Sequence, residues 1–167
     1  MEVLIDYEYL SGIAKEPVVK ELAIAAKDVV QTFHFKSPYH MQNHGSEANG
    51  LNWSDGIIPY DDLQTVVSDA VANYPHVYAY GADKCAFLSD LLKRPVLNIA
   101  DFNCPAPENF VDETRCWMPC HKFPNVSCAA SNAHAFYKWL TFHLQAKAYV
   151  KCPKENARHT AQFLSAI

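Results

Sequence analysis

Cysteine and histidine are concentrated in residues 115–134, which hold three of the six cysteines and two of the eight histidines. The spacing is Cys116-x3-Cys120-His121-x6-Cys128. Thiolates and imidazoles are the ligands that Zn²⁺ takes in tetrahedral sites. The stretch therefore predicts metal binding, and the rest of the chain must supply the elements that position it.

The composition is that of one packed domain, which we place at residues 1–167. Half of the 167 residues are hydrophobic and 19% are charged, which argues against global disorder. A core of this size does not need a metal merely to fold. The formal charge of −4 gives no general excess of lysine and arginine for binding a polyanion, although a local basic patch remains open.

The chain has no apolar run near the roughly 20 residues of a membrane span, and its first ten residues carry acids where a signal peptide carries bases. We expect an intracellular protein, cytoplasmic or nuclear, with no membrane partner. Its cysteines are then thiols or metal ligands. In a secreted protein, six cysteines would instead permit three disulfides.

The first part of the sequence predicts an antiparallel meander. Alternating or β-branched runs at 3–9, 17–27 and 29–36 predict strands, with Asp28 in the last turn. The polar segment 37–59, which has little periodicity, predicts a long exposed loop.

Helix and strand patterns alternate in the second part. They predict helices at 60–74, 81–92, 128–147 and 155–164, and strands at 77–80 and 96–99. Helix, strand, helix, strand implies a parallel βαβ unit. The predicted fold class is α/β, with an RNase H-like mixed sheet: a three-stranded antiparallel meander, followed by parallel strands, with helices flanking the sheet.

An acidic pair lies on the first predicted strand. Asp6 and Glu8 flank Tyr7, so both carboxylates project from one face. At a sheet centre this arrangement needs a compensating cation, and Mg²⁺ or Mn²⁺ bound to phosphate oxygens is one solution. If the strand were at the edge of the sheet, the two carboxylates would instead be exposed to solvent.

The chain resembles DEDDh-type 3′-5′ exonucleases of the RNase H-like superfamily over roughly residues 3–145. The resemblance lies in the segments IDYE, NGLNWSDGIIPYDDL, VYAYGADKCAFLSDLL and CAASNAHAF. Such enzymes hold two metal ions with four acids and activate water with a histidine. The first motif keeps its two acids, but Lys84 stands at the acid of the second motif, with Asp83 beside it. In the third motif, His134 stands at the acid and Ala129 at the histidine.

This pattern implies that ordinary two-metal catalysis is lost. Asp6 and Glu8 are the candidate catalytic residues that remain, and they could hold one Mg²⁺ or Mn²⁺. The candidate substitute acids are Asp83, Asp90 and Asp101. A helix turns about 100° per residue, so a shift of the acid from 84 to 83 would change its direction.

Within that superfamily, the chain resembles Maelstrom-type domains of the piRNA pathway, which have degenerate catalytic acids and a structural zinc. The matching residues are Pro17-Val-Val-Lys-Glu21, then Cys116 or Cys120 with His121, then Cys128-Ala129; the Cys-to-His spacing departs from the family pattern.

The resemblance implies a structural zinc held by Glu21, Cys116, His121 and Cys128, with Cys120 as the substitute, because adjacent residues rarely aim both side chains at one ion. An all-Cys/His set that includes His134 is the competing arrangement. His134 lies about 600° round the helix from Cys128, and so on another face.

The function implied is binding of nucleic acid, most plausibly single-stranded RNA, in small-RNA or transposon silencing, with metal-independent RNA cleavage as a further implication. One alternative is an active exonuclease that uses Mg²⁺ or Mn²⁺. Another is a catalytically dead module that binds protein partners.

Overall fold

The structure of the protein, a computed structural model, describes residues 1–42, 50–110 and 128–151. The predicted ligands Cys116, Cys120 and His121, and the helix predicted at 155–164, lie outside the described residues.

A five-stranded mixed sheet forms the centre of the fold. Its strands are β1 (Glu2–Ser11), β2 (Pro17–Ala26), β3 (Val29–His34), β4 (His76–Ala79) and β5 (Val96–Asn98). The spatial order is β3-β2-β1-β4-β5. The first three strands pair antiparallel, whereas β4 runs parallel to β1 and β5 parallel to β4. The predicted meander followed by parallel strands is confirmed, and β1 is central.

Helices cover both faces of the sheet. They are α1 (Leu63–Val71), α2 (Ala82–Leu92) and α3 (Ala129–Lys151), with short 3-10 turns at Tyr60–Asp62, Ile99–Phe102 and Pro107–Asn109. None of the helices in the described part of the chain is both long and apolar enough to cross a bilayer.

Strand alternation assigns each face its core. Ile5 of β1 packs with Val67 of α1 and Leu88 of α2 in one buried cluster. Leu4, one residue earlier, faces the other way and packs with Phe136 and the rest of the buried side of α3. Because Asp6 and Glu8 share the even-numbered face with Leu4, their carboxylates lie on the α3 side of the sheet.

A β-bulge interrupts this alternation in β2. Glu8 pairs with Glu21 but the next residue, Tyr9, pairs with Val19, so Lys20 has no partner across β1. A bulge re-aims the side chains on either side of it. Alternation from Ala23 turns Glu21 towards α3 and Lys20 away from it, and the bulge then places Val19 in the buried cluster on the α1 and α2 side.

Lys20 ties the loop after β3 to the sheet. The side chain is 1% exposed. Its ammonium donates hydrogen bonds to Ser37 Oγ at 2.9 Å, to the Trp53 carbonyl at 3.0 Å and to the Asp55 carbonyl at 2.5 Å. These three acceptors match its three donors.

The prediction that residues 37–59 form an exposed loop is wrong for the part around Trp53. Leu51 and Trp53 are 2% and 6% exposed, and they pack with Leu10 and Val18 in a third buried cluster. The burial of these two residues could not be predicted, because they are isolated among Asn, Ser and Asp and lack the periodicity that indicates a buried element.

Replacing Lys20 with Met should lower the free energy of unfolding by about 3 kcal/mol, because a buried and a partly buried carbonyl would lose a charged donor. Burial lowers the pKa of Lys20 from 10.5 to about 8. The unfolded chain therefore binds more protons between those values, so Lys20 should make stability rise with pH there. Urea unfolding at several pH values would measure both effects.

The control is Lys36→Met at an exposed position, which removes the same charge. Equal losses of stability in the two variants would contradict the role of the Lys20 contacts.

Candidate functional site

Carboxylates line the α3 side of the sheet near its centre. Asp6 and Glu21 are 1% and 0% exposed, and Glu8, which pairs with Glu21 across β1 and β2, is partly buried. Buried carboxylates are costly unless donors or cations compensate them. The arrangement of α2 and α3 supplies such groups, so the alternative of a solvated edge face is wrong for Asp6.

Lys84 of α2 forms an ion pair with Asp6. Its Nζ lies 2.6 Å from Asp6 Oδ1 and donates a second hydrogen bond to the Tyr7 carbonyl at 2.7 Å. The Asn132 side chain of α3 donates from Nδ2 to Asp6 Oδ2 at 3.1 Å. Both oxygens of the carboxylate are therefore occupied, one by a cation and one by an amide.

Burial and charge act in opposite directions on this pair. Burial raises the pKa of Asp6, although Lys84 and Asn132 favour its charged form. Burial lowers the pKa of Lys84, but attraction to Asp6 and Glu8 outweighs this effect and leaves the pKa raised. The charged ammonium therefore persists through the neutral range and supplies the positive charge beside Asp6.

The turn between β4 and α2 positions Lys84. Gly81 precedes the helix with φ 95°, a backbone conformation that a side chain would strain. The Asn98 side chain, at the end of β5, accepts hydrogen bonds from Gly81 N at 2.9 Å and from Ala100 N at 3.1 Å. Because β4 and β5 are parallel, their C-terminal ends lie side by side at the same edge of the sheet. Helix α2 begins at this edge, with Lys84 directed towards β1.

Two residues from distant parts of the chain reach Asp6. Lys84, which the sequence comparison aligned with an acid, contacts Asp6, whereas the neighbouring Asp83 is exposed. On α3, the residue that reaches Asp6 is Asn132 and not His134. The sequence comparison gave Asn132 no role.

Glu21 binds the start of α3. Its Oε1 accepts a hydrogen bond from Ala129 N at 2.8 Å, so a carboxylate from β2 compensates a helix N-terminus. Cys128, the residue before Ala129, is 0% exposed. The structure thus brings two of the four predicted zinc ligands to one place, since Glu21 contacts the residue next to Cys128.

His34 also lies beside Glu21. It is the last residue of β3, pairs with Glu21 across β2 and β3, and its Nε2 lies 3.5 Å from Glu21 Oε2. The strand pattern of the sequence gave no signal of this contact. Within residues 1–42, 50–110 and 128–151, no group of three His, Cys, Asp or Glu residues is arranged to hold a metal ion.

No protein-family model, no curated protein and no solved structure matches the chain. The site consists of a lysine-neutralised aspartate on β1 and a buried glutamate on β2 that accepts a hydrogen bond from the start of α3.

The Asp6–Lys84 pair can be tested by a double-mutant cycle. Lys84→Met should lower the free energy of unfolding by about 3 kcal/mol, because it leaves a buried carboxylate with no cation. The double variant Asp6→Asn/Lys84→Met should lose clearly less than the sum of the two single losses. Urea denaturation of the four proteins measures the coupling, and additive losses would show that the pair does not interact.

Proposed function

We propose that this chain is an RNase H-like domain of the Maelstrom type that binds single-stranded RNA and does not act as a two-metal exonuclease. The sheet order supports the fold part of the proposal, since an antiparallel meander is joined to parallel strands with acids on the central strand. The resemblance of the sequence segments to that branch supports the type of ligand.

The observation that carries the proposal is the Lys84 ammonium, 2.6 Å from Asp6 Oδ1. A two-metal nuclease places divalent cations against such a carboxylate, and additional acids hold them there. Here a lysine stands at one of those acid positions and neutralises Asp6 from within the protein. A second cation at the same oxygen would be repelled, so binding of RNA would need no divalent ion.

Incubation with labelled single-stranded RNA and DNA tests this function. We expect RNA to be retained equally in EDTA and in Mg²⁺ or Mn²⁺, with no metal-dependent shortening of the strand. Binding should weaken with salt, as phosphate contacts require.

The outcomes separate the three functions. A metal-dependent ladder of products that disappears in Asp6→Ala would show an active exonuclease. Absence of RNA retention even at low salt would point instead to a protein-interaction module.

We further propose a structural zinc that joins β2 to the start of α3, with Glu21, Cys116, His121 and Cys128 as ligands and Cys120 as the substitute. The support is that Glu21 and Cys128, which are more than a hundred positions apart in sequence, are both fully buried, and that Glu21 accepts a hydrogen bond from Ala129, the residue next to Cys128. A zinc in this position would add a second connection to the hydrogen bond between Glu21 and Ala129.

Zinc content provides the corresponding test. The purified protein should contain one zinc per chain by elemental analysis, and Cys128→Ser should lose it, because a hydroxyl is a poor replacement for a thiolate ligand. The matched control is Cys104→Ser. Cys104 is also a buried cysteine of the cluster that packs on α3, and burial raises its pKa to about 12, so it remains a protonated thiol.

Retention of zinc in Cys128→Ser, or a folded wild-type protein without zinc, would contradict this assignment. Loss of zinc in both variants would indicate a general loss of folding, which circular dichroism would reveal.

A further inference from the structure

A cleft opens between the end of β1 and the start of α2, beside the Asp6–Lys84 pair. Its volume is about 460 Å³, within the range of small-ligand sites. Its walls come from β1, the β1–β2 turn, the end of β4 and the first turns of α2. It therefore collects side chains from the same elements that position Lys84.

Aromatic rings form much of the cleft. The lining includes Tyr7, Tyr9, Tyr80 and Phe87. The rings of Tyr7 and Phe87 have centroids 5.2 Å apart, and those of Tyr7 and Tyr9 are 6.1 Å apart. Tyr7 is buried, whereas Tyr9 is 46% exposed, so the set runs from the core to the surface. These ring pairs are tilted by 56° for Tyr7 and Tyr9 and by 50° for Tyr7 and Phe87, so the partly exposed ring of Tyr9 offers its own apolar face to a planar ligand.

Lys15 adds a positive charge to the cleft. It lies in the β1–β2 turn, lines the cleft, and is exposed. Its ammonium makes no ion pair or hydrogen bond with the described part of the chain. The other charged residues of the lining are Lys84, which Asp6 neutralises, and the exposed Asp83, so Lys15 is the cation in this lining that has no ion pair within the described residues.

The backbone at Lys15 is strained. Its φ is 61°, in the left-handed region where Gly or Asn is favoured. Lys27 and Lys93 share this backbone conformation, with φ 48° and 53°. The position of Lys15 at the cleft, and not its backbone, therefore points to a role for its charge.

We infer that this cleft binds one unpaired nucleotide of single-stranded RNA, with the base stacked against Tyr9 and the phosphate beside Lys15. The inference rests on the proposed function and adds the residues that contact the ligand. Aromatic stacking and an adjacent cation are the two features by which proteins hold single strands without reading their sequence. Neither contact requires a divalent ion.

Fluorescence anisotropy with a fluorescein-labelled oligouridylate in EDTA tests the inference. Tyr9→Leu and Lys15→Gly should each weaken binding by about tenfold, the order expected for one stacked base or one phosphate contact. Lys15→Gly should also reduce the slope of log affinity against log salt by about 1. Thermal unfolding of each variant checks that the fold is kept.

Lys27→Gly is the matched control. Lys27 also has a positive φ, 48°, but it lies in the β2–β3 turn, away from the cleft. The substitution removes the same charge and relieves the same kind of strain, so it should leave affinity and salt slope close to those of the wild type. For Tyr9→Leu, the control is Phe142→Leu on the exposed side of α3, where the ring is 72% exposed.

The possible failures are distinguishable. If the wild type binds the oligonucleotide and Tyr9→Leu and Lys15→Gly bind equally well, the cleft is not the site, while the proposed function stands. If Lys27→Gly lost as much affinity as Lys15→Gly, the assignment of the cleft as the binding site would also be wrong, because the effect would then come from net charge. If the wild type does not bind, both the proposed function and this inference are wrong.

Discussion

Buried negative charge on the α3 side of the sheet is the constraint that organises this protein. Asp6 and Glu21 are almost completely removed from water, and an isolated carboxylate in that environment would cost several kcal/mol. Each is compensated by an element distant in sequence: Asp6 by Lys84 and Asn132, and Glu21 by the amide of Ala129. The positions of α2 and α3 on the sheet are therefore tied to these polar contacts as well as to apolar packing.

The lysine at position 84 changes the chemistry that the carboxylates can support. A divalent ion offers two charges and open coordination positions for phosphate oxygens and water. An ammonium offers one charge and three donors, two of which are already used by Asp6 and the Tyr7 carbonyl. What remains is a neutralised acid on the α3 side of the sheet, whose lysine partner also lines the aromatic cleft.

Much of the fold could be predicted from the sequence because strand alternation and helix periodicity were strong in β1, α1 and α2. The same alternation placed Asp6 and Glu8 on one face. Contacts between distant segments could not be predicted from the sequence. No local pattern indicates that His34 pairs with Glu21 or that Asn132 of α3 reaches Asp6. The prediction for the loop around Trp53 was wrong because its two apolar residues are isolated and show no periodicity, and the hydrogen bond from Lys20 to the Trp53 carbonyl has no signal in the sequence.

The bulge at Lys20 has a consequence for how this chain can change during evolution. In β2 a cationic and an anionic residue are adjacent, and alternation from Ala23 turns Glu21 towards α3 and Lys20 away from it. Moving the extra residue from Lys20 to Glu21 would reverse this, placing an ammonium against the positive end of α3 and a carboxylate among the carbonyls of Trp53 and Asp55. Both of these contacts would be repulsive. The order Lys20-Glu21 thus disfavours that shifted pairing of β2, because it would reverse the sign of two buried interactions at once.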